Sequence, residues 1–151
     1  PPPSYYLRRA MLDDAAEIAE LFAATRAASL PYLPVLHSAD EDFQYFSGVL
    51  ASCEVWVAES GGDIVGFCAF RDGWVDHLYV SPASARNGIG NALLDRAKSA
   101  NTQIKLWAFQ RNNAARDFYR ALGFREIQMT DGAENEEREP DVLLEWRRPV
   151  K

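Results

Sequence analysis

Three strand-like runs follow one another in the middle of the chain with only turn-length segments between them, and this succession constrains the fold most. The runs 54–59 and 64–70 flank a turn containing Gly61 and Gly62. Adjacent glycines are typical of a β-hairpin turn, because glycine adopts positive φ without steric cost. The run 74–80 follows directly. Three consecutive strands with short connections predict an antiparallel meander.

The remaining elements are predicted from apolar spacing, caps and turn residues. Before the three strands, we expect a strand at 5–9, a helix capped by Asp13 that ends before Pro31 and Pro34, and a helix that starts at the capping box Ser38-Ala39-Asp40-Glu41. After them, we expect a helix up to about Ala100, a strand at 104–109, a helix carrying Tyr119, and strands at 124–130 and 142–147. This order predicts an α/β fold of the α+β type, with a central, mostly antiparallel mixed sheet of about seven strands and about four helices. At 151 residues and 48% apolar content, we expect a single domain covering residues 1–151.

The amino-acid composition limits the classes of partner and cofactor that we expect the chain to bind. Sixteen basic and twenty-two acidic residues give a net charge of −6, which disfavours nucleic acid and mildly favours a cationic partner. No apolar run approaches the ~20 residues that span a bilayer, and the first residues lack the pattern of a signal peptide, so we expect no membrane association and a cytoplasmic location. The two cysteines and two histidines lack metal-ligand spacing, so no metal is predicted. Both cysteines lie in or beside apolar strand-like runs and are expected to be buried thiols without a catalytic role.

Residues 112–124 combine a polar cap, a tyrosine and a glycine stop in one short helix. Asn112 can bind free backbone N–H groups at the start, and Gly123 can adopt the left-handed conformation that ends a helix. One face of this helix carries Ala115, Phe118, Tyr119 and Leu122. Tyr119 is therefore held at a helix–sheet boundary, either as a core aromatic residue or as a functional hydroxyl.

A second segment, residues 77–94, is predicted as a strand, a glycine loop and an amphipathic helix. Gly88 and Gly90 lie where the helix begins, and Arg86 precedes them. Unpaired N–H groups and the partial positive charge of a helix N-terminus bind anions such as phosphate, although two glycines also occur in purely structural turns. A dinucleotide fingerprint would need glycine in place of Leu93, and the Gly-Lys-Ser/Thr of a P-loop is absent.

Together the two segments resemble the GNAT superfamily of N-acetyltransferases, in its bacterial type, over nearly the whole chain. The family's pyrophosphate signature is Gln/Arg-x-x-Gly-x-Gly/Ala, and a later helix carries Asn-x-x-Ala-x-x-x-Tyr. The matching positions are Gly88, Gly90, Asn112, Ala115 and Tyr119. The chain departs from the signature at its first position, where Ala85 replaces the Gln or Arg, so that side-chain contribution is missing or comes from Arg86.

The resemblance implies an acetyl-CoA-dependent N-acetyltransferase that transfers the acetyl group to a primary amine, of a small molecule or a peptide, by direct attack in a ternary complex. Two central strands are expected to splay so that the pantetheine arm lies between them, and a homodimer is one possible assembly. The implied cofactor-binding residues are Leu78, Tyr79, Val80, Arg86, Asn87, Gly88, Ile89, Gly90, Asn91, Asn112 and Tyr119.

Acetyl transfer needs one proton removed from the amine and one given to the departing thiolate. The resemblance assigns the second task to Tyr119 as general acid. For the base we rank Asp76 before His77, both on the strand 74–80. Successive strand residues face opposite sides, so only one of them is expected to face the cleft. Alternatively, both make strand-edge hydrogen bonds and a water relays the proton.

The acceptor is expected to bind at residues that lie outside the family signatures. The candidates are Tyr32, His37, Trp74, Phe109 and Glu136. Glu136 belongs to the acidic segment, residues 131–141, whose carboxylates either attract an ammonium group or, more ordinarily, form a solvated charge run. The alternative function is a non-catalytic acyl-CoA sensor or protein-interaction module on the same fold, motivated by Ala85.

Overall fold

The computed structural model describes residues 4–150, which form one seven-stranded sheet and four α-helices. The elements in chain order are β1 (Tyr6–Arg9), α1 (Ala15–Ser29), α2 (Ala39–Ser52), β2 (Glu54–Ser60), β3 (Asp63–Arg71), β4 (Trp74–Val80), α3 (Ile89–Ala100), β5 (Gln103–Phe109), α4 (Asn113–Ala121), β6 (Arg125–Met129) and β7 (Asp141–Arg147). The predicted fold class and the numbers of strands and helices are confirmed. The first three prolines, which entered the localisation prediction, lie outside the described residues.

The sheet has the order β1-β2-β3-β4-β5-β7-β6, and every neighbouring pair is antiparallel except β4 and β5. These two central strands run parallel, and within residues 4–150 their one pair is Trp74 with Lys105. Beyond it the strands separate toward Val80 and Phe109. The predicted splay is confirmed, and it leaves a slot between the carboxyl ends of β4 and β5.

Local sequence signals explain most of the element boundaries. Gly61 and Gly62 take φ of 59° and 88° in the β2–β3 turn. The predicted capping box at α2 is present, because Ser38 Oγ accepts from Glu41 N at 3.1 Å and Glu41 accepts from Ser38 N at 2.9 Å. The paired prolines follow directly after α1, as expected.

The prediction that Asp13 caps the first helix is wrong. Asp13 lies inside a 3₁₀ turn, Leu12–Asp14, and α1 begins at Ala15. The neighbouring Asp14 binds the guanidinium of Arg8 on β1 at 2.9 and 3.0 Å. This ion pair ties the turn to the sheet edge, so that the helix starts after Asp14.

Helices cover both faces of the sheet. The core under α1 and α2 contains Ile18, Ala19, Phe46, Val49, Val55, Val57, Ile64, Phe67 and Ala69. The core under α3 and α4 contains Leu93, Leu94, Ala97, Ile104, Leu106, Tyr119, Val142, Leu144 and Trp146, among others. The slot therefore lies between two helical layers. No helix within residues 4–150 is long and apolar enough to cross a bilayer.

Candidate functional site

Two cavities on the α1/α2 face share Asp76 and His77 in their walls. The β4–β5 cavity, of about 400 Å³, lies at the slot, and its walls include Arg26, Tyr79, Trp107, Phe109, Glu134 and Glu137. The α2 cavity, of about 530 Å³, lies between α2 and β4, and its walls include Tyr45, Gly48, Val49, Cys53 and Arg71. Asp76 and His77 therefore lie where the two cavities meet.

A β-bulge in β4 turns both of these side chains to one face. The register with β3 steps from the pair Ala69–His77 to the pair Phe70–Val75, which makes Asp76 the extra residue. Regular alternation predicts that only one of the two faces the cleft. That prediction is wrong, because the bulge interrupts the alternation and both residues line both cavities.

The carboxylate of Asp76 is engaged by neighbouring groups. Arg71 donates to it at 2.7 and 3.3 Å, and the Cys53 thiol lies 3.8 Å away. Cys53 lies between α2 and β2, beside a strand as expected, but it is half-buried and not buried, whereas Cys68 is buried as expected. Arg71 and Cys53 therefore occupy much of the hydrogen-bonding capacity of the Asp76 carboxylate.

His77 lies among aromatic rings. The ring centroids of Phe22, Phe46, Phe67 and Tyr79 are between 5.2 and 6.3 Å from its own. Its Nε2 is 2.7 Å from the Tyr45 hydroxyl. Burial lowers the pKa of His77 to about 4, although Asp76 acts in the opposite direction. The imidazole is therefore neutral at neutral pH.

This burial predicts a pH dependence of stability. The pKa of His77 is about 4 in the folded protein against 6.5 for an ordinary histidine, so the unfolded chain binds the proton first as pH falls. The unfolding free energy should therefore decrease between about pH 6.5 and pH 4. We expect His77→Phe, which keeps an aromatic ring in place, to remove about 3 kcal/mol of this decrease. Urea unfolding of both proteins across this pH range measures the effect, and parallel curves would contradict it.

Tyr119 approaches β4 from the α3/α4 face. Asn112 caps α4 by accepting from the amide three residues later at 3.1 Å, and Gly123 ends the helix region with φ of 96°, both as predicted. Tyr119 is 8% exposed, and no group among residues 4–150 hydrogen-bonds its hydroxyl. Burial raises the pKa of Tyr119, and Cys68 and Tyr79 add to the increase. The phenol therefore keeps its proton at neutral pH, as a proton donor requires.

The glycine loop presents a row of backbone donors. Arg86 and Gly88 take positive φ of 69° and 80° before α3. The N–H groups of residues 86–91 make no hydrogen bond to any group in the described part of the chain. Gly90 packs closely on α4, because a Cβ there would lie 3.2 Å from the ring of Phe118. The exposed side chains around the loop are Ala85, Arg86, Asn87 and Asn91. Free N–H groups at a helix start form a site for an anion.

The end of β4 borders the slot with backbone that faces away from its antiparallel partner. Leu78, Tyr79 and Val80 pair with β3 on one edge, while their other edge faces the slot. The Leu78 and Val80 side chains pack toward the α3/α4 core, and Tyr79 lines the β4–β5 cavity. This edge is available for hydrogen bonds with an extended ligand.

The acidic segment, residues 131–141, folds against the α1/α2 face. Its ion pairs are Glu137 with Arg26 at 3.0 Å, Glu139 with Arg111 at 2.8 Å, and Glu136 with His37. The expectation of a solvated charge run is therefore wrong for Glu137 and Glu139, whose side chains are 13% exposed, whereas Glu136 is 56% exposed and fits it. Gly132 has a φ of 83° and packs closely on Glu139. A Cβ at Gly132 would lie 2.4 Å from the backbone carbonyl of Glu139. The segment thus forms one wall of the β4–β5 cavity.

The structure brings four of the five predicted acceptor residues toward this segment. Phe109 lines the β4–β5 cavity. Tyr32 packs under the Arg111 guanidinium, 3.9 Å from the ring centroid, and its buried hydroxyl has no hydrogen-bond partner among the described residues. His37 and Glu136 bind each other at the surface. Glu136 belongs to the acidic segment and the other three residues lie beside it, and of the four only Phe109 lines the β4–β5 cavity.

The fifth predicted residue, Trp74, lies at the closed end of the slot, away from the cavity walls. Sequence patterns did not single out Arg26, Tyr45 or Trp107. Trp107 had a detectable signal, because it alternates with buried neighbours on β5 and so must face the side opposite the α3/α4 core. The sequence carries no such signal for Arg26, because its partner Glu137 is 111 residues away in sequence.

Comparisons with known proteins agree with this geometry. A family model described as an acetyltransferase (GNAT) domain matches residues 51–126. Peptidyl-lysine N-acetyltransferase YiaC of Escherichia coli is 26% identical over 141 residues, which cover 93% of this chain and 95% of that protein.

Solved structures share the fold. A GCN5-related N-acetyltransferase from Rhodopseudomonas palustris superposes with a TM-score of 0.81 at 21% identity, covering 97% of this chain and 98% of that one. The protein yncA of Salmonella typhimurium, solved with its cofactor acetyl-CoA, gives a TM-score of 0.73 at 19% identity, with 99% and 96% covered.

Proposed function

The chain belongs to the GNAT family of acetyltransferases, and from that premise we propose that it transfers the acetyl group of acetyl-CoA to a primary amine by direct attack in a ternary complex. One observation carries the proposal: the β4–β5 slot has free anion-binding N–H groups and Tyr119 on one face and an acidic, aromatic cavity on the other. Two substrates approaching from opposite faces meet at the slot, which places the reacting groups side by side.

The donor side follows from the backbone. The N–H groups of residues 86–91 would bind the pyrophosphate, and the free edge of Leu78, Tyr79 and Val80 would pair with the pantetheine arm. The relative yncA, solved with acetyl-CoA, shares this fold. Arg86, Asn87 and Asn91 are exposed beside the loop, and we propose them, with Ile89 and Asn112, as the surrounding contacts.

The chemistry assigns roles to three side chains. Tyr119 keeps its proton because burial raises its pKa, and it would give that proton to the departing thiolate. Asp76 and His77 lie together at the junction of the two cavities and are the candidates for removing the amine proton. A neutral His77 is able to accept a proton, whereas Asp76 is held by Arg71.

The acceptor class follows from charge and shape. The walls of the β4–β5 cavity hold four carboxylates, of Asp76, Glu134, Glu137 and Asp141, against the single guanidinium of Arg26. This excess of negative charge attracts an ammonium group, and Trp107 and Phe109 offer apolar surface for its aliphatic stem. YiaC is a peptidyl-lysine N-acetyltransferase, and a lysine-like amine of a small molecule or a peptide fits the same description here. We retain His37, Tyr32 and Glu136 as outer acceptor contacts.

Calorimetry with acetyl-CoA, free CoA and NAD tests the donor side, and thiol release with a panel of primary amines tests the transfer. We expect both CoA species to bind and NAD to give no heat. Acetylation of an amine should then appear as one acetyl mass on the acceptor for each thiol released. Failure of every acyl-CoA to bind would contradict the proposal.

A sensor is the second candidate, because Ala85 supplies no side-chain donor at the first position of the pyrophosphate signature. A sensor would bind acetyl-CoA and release no thiol with any amine in the panel. Four expectations from the sequence stay predictions: a single domain over residues 1–151, a cytoplasmic location, the lack of a metal and a homodimer.

The departure at Ala85 predicts a gain from restoring a basic residue. Ala85→Arg should tighten acetyl-CoA binding about fivefold, because a guanidinium beside the free N–H groups can add a charge-assisted hydrogen bond to phosphate. Ala83→Arg, in the exposed 3₁₀ turn two residues earlier, adds the same charge away from the signature position. Equal gains in the two variants, measured by calorimetry, would show general charge attraction instead.

A further inference from the structure

Arg26 of α1 contributes a positive charge to the walls of the β4–β5 cavity. Its guanidinium packs against the rings of Phe22 and Phe109, whose centroids lie 4.7 and 5.9 Å from Cζ. Burial acts to lower the pKa of Arg26, but the neighbouring Tyr79 and Glu137 more than offset this effect, so the side chain keeps its charge. The structure therefore holds this cation in a fixed position inside an acidic cavity.

The protein engages only part of this guanidinium. Nη1 donates to Glu137 at 3.0 Å, and Nε donates to the Tyr79 hydroxyl at 3.4 Å. Nη2 makes no hydrogen bond to any group among residues 4–150, yet it is not one of the buried polar atoms that lack a partner there, which belong to Thr25 and Tyr32. Nη2 is therefore accessible, and its two N–H groups can donate to an oxygen of a molecule in the cavity.

Phe22 packs against both Arg26 and the candidate base His77. Its ring centroid is 4.7 Å from Arg26 Cζ and 5.9 Å from the His77 ring centroid. A single aromatic side chain therefore separates the guanidinium from the place where the amine would lose its proton. An acceptor oxygen bound at Nη2 would thus lie several bonds from the reacting nitrogen. The four methylene groups of a lysine side chain provide such a separation between the amine and the main-chain carbonyl.

The charges around Arg26 favour a neutral oxygen over a carboxylate. Glu137 already pairs with the guanidinium, and the cavity walls also carry Asp76, Glu134 and Asp141. These groups would repel a carboxylate on the acceptor, since like charges interact strongly where water is partly excluded. A main-chain carbonyl has no net charge and accepts a charge-assisted hydrogen bond from a guanidinium.

We propose that Arg26 makes the cavity selective for a peptide-bound lysine: its Nη2 donates to the main-chain carbonyl oxygen of the residue whose side-chain amine is acetylated. The inference rests on the proposed amine acetylation. It deepens that function, because a simple alkylamine would reach the reacting centre without this hydrogen bond. Arg26 thus selects the acceptor and takes no part in the proton transfers.

Kinetics with two acceptors test the hydrogen bond. Nα-acetyl-lysine methylamide has carbonyl oxygens on both sides of its Cα, and pentylamine has the same amine and a similar stem without oxygen. Arg26→Met should lower kcat/KM about tenfold for the methylamide, mainly through KM, and change it less than about twofold for pentylamine. The ratio of the two kcat/KM values is the readout, because a change in cavity charge affects both amines alike. An unchanged ratio would overturn the inference.

Glu137→Gln is the matched control, because it breaks the same ion pair from the other side and leaves Nη2 of Arg26 in the cavity. We expect this variant to keep the wild-type ratio. If Arg26 served only to hold the acidic segment, both variants would change the ratio equally, and that result would overturn the inference. Arg26→Lys keeps a cation for Glu137 but lacks the second arm of the guanidinium, so it should fold like the wild type and still lose the ratio.

A third acceptor, Nα-acetyl-lysine, tests the preference for a neutral oxygen, because it ends in a carboxylate in place of the methylamide. We expect the wild type to use it less well than the methylamide, and the reverse order would overturn the assignment of a neutral carbonyl. A wild type that acetylates pentylamine and the methylamide with equal kcat/KM would overturn the inference and leave the proposed function standing. A wild type that binds acetyl-CoA but acetylates no amine would overturn both.

Discussion

Replacing Tyr119 with Phe is expected to lower kcat about 100-fold, while KM for acetyl-CoA stays within about twofold. The hydroxyl is the group we propose to protonate the departing thiolate, and the ring makes the packing contacts within the α3/α4 core. Removal of the hydroxyl alone therefore affects the reaction more than binding. Steady-state kinetics with saturating amine measure kcat, and calorimetry measures the affinity for acetyl-CoA.

The fold should tolerate this variant. No group among residues 4–150 hydrogen-bonds the Tyr119 hydroxyl, so its removal leaves no protein donor or acceptor unpaired. The melting temperature should stay close to that of the wild type. Since burial raises the pKa of Tyr119, its ionisation should not limit activity between pH 6 and about 9. Full activity of the variant across this range would refute the general-acid role.

Replacing Gly132 with Ala should raise KM for the acceptor at least about tenfold and leave acetyl-CoA binding unchanged. A Cβ at Gly132 would lie 2.4 Å from the backbone carbonyl of Glu139, and backbone cannot move aside as a flexible side chain does. The acidic segment must therefore shift, which disturbs the wall of the β4–β5 cavity. Kinetics with varied acceptor and varied acetyl-CoA separate the two effects.

Gly62→Ala is the matched control for backbone strain. Gly62 has φ of 88° against 83° for Gly132, but a Cβ at Gly62 would meet nothing within 4 Å. Both variants carry the cost of a left-handed alanine, about 1 kcal/mol, and only Gly132→Ala adds the clash. The loss of unfolding free energy should be roughly twice as large or more in Gly132→Ala. Equal losses and an unchanged acceptor KM would show that the segment has no role in the site.

The fold was predictable where local signals act over short distances. The Gly61–Gly62 turn and the capping box at Ser38 fix their elements through contacts within a few residues. Asp13 failed as a cap because the neighbouring Asp14 binds Arg8 on β1, a tertiary contact that no local pattern reveals. The splay was expected from the family resemblance.

The candidate site could be located from the sequence on the side proposed to bind acetyl-CoA, and less so on the side proposed to bind the acceptor. The glycine loop and the Asn112–Tyr119 helix are contiguous motifs. By contrast, the acidic segment is held by Arg26 and Arg111, which lie far from their partners in sequence. The β-bulge at Asp76 depends on pairing with β3, so the orientation of this side chain required the structure.

The slot between β4 and β5 separates two groups of residues that can change independently during evolution. The glycine loop and Tyr119 lie on one face of the sheet, and the acidic segment lies on the other. Substitutions in the acidic segment or in the connection after α1 leave the glycine loop untouched. Under the proposed function, new acceptors could therefore be acquired without changes in the residues that bind acetyl-CoA. In the ternary complex that we propose, acetyl-CoA and the amine would enter from opposite faces, so neither would have to leave before the other binds.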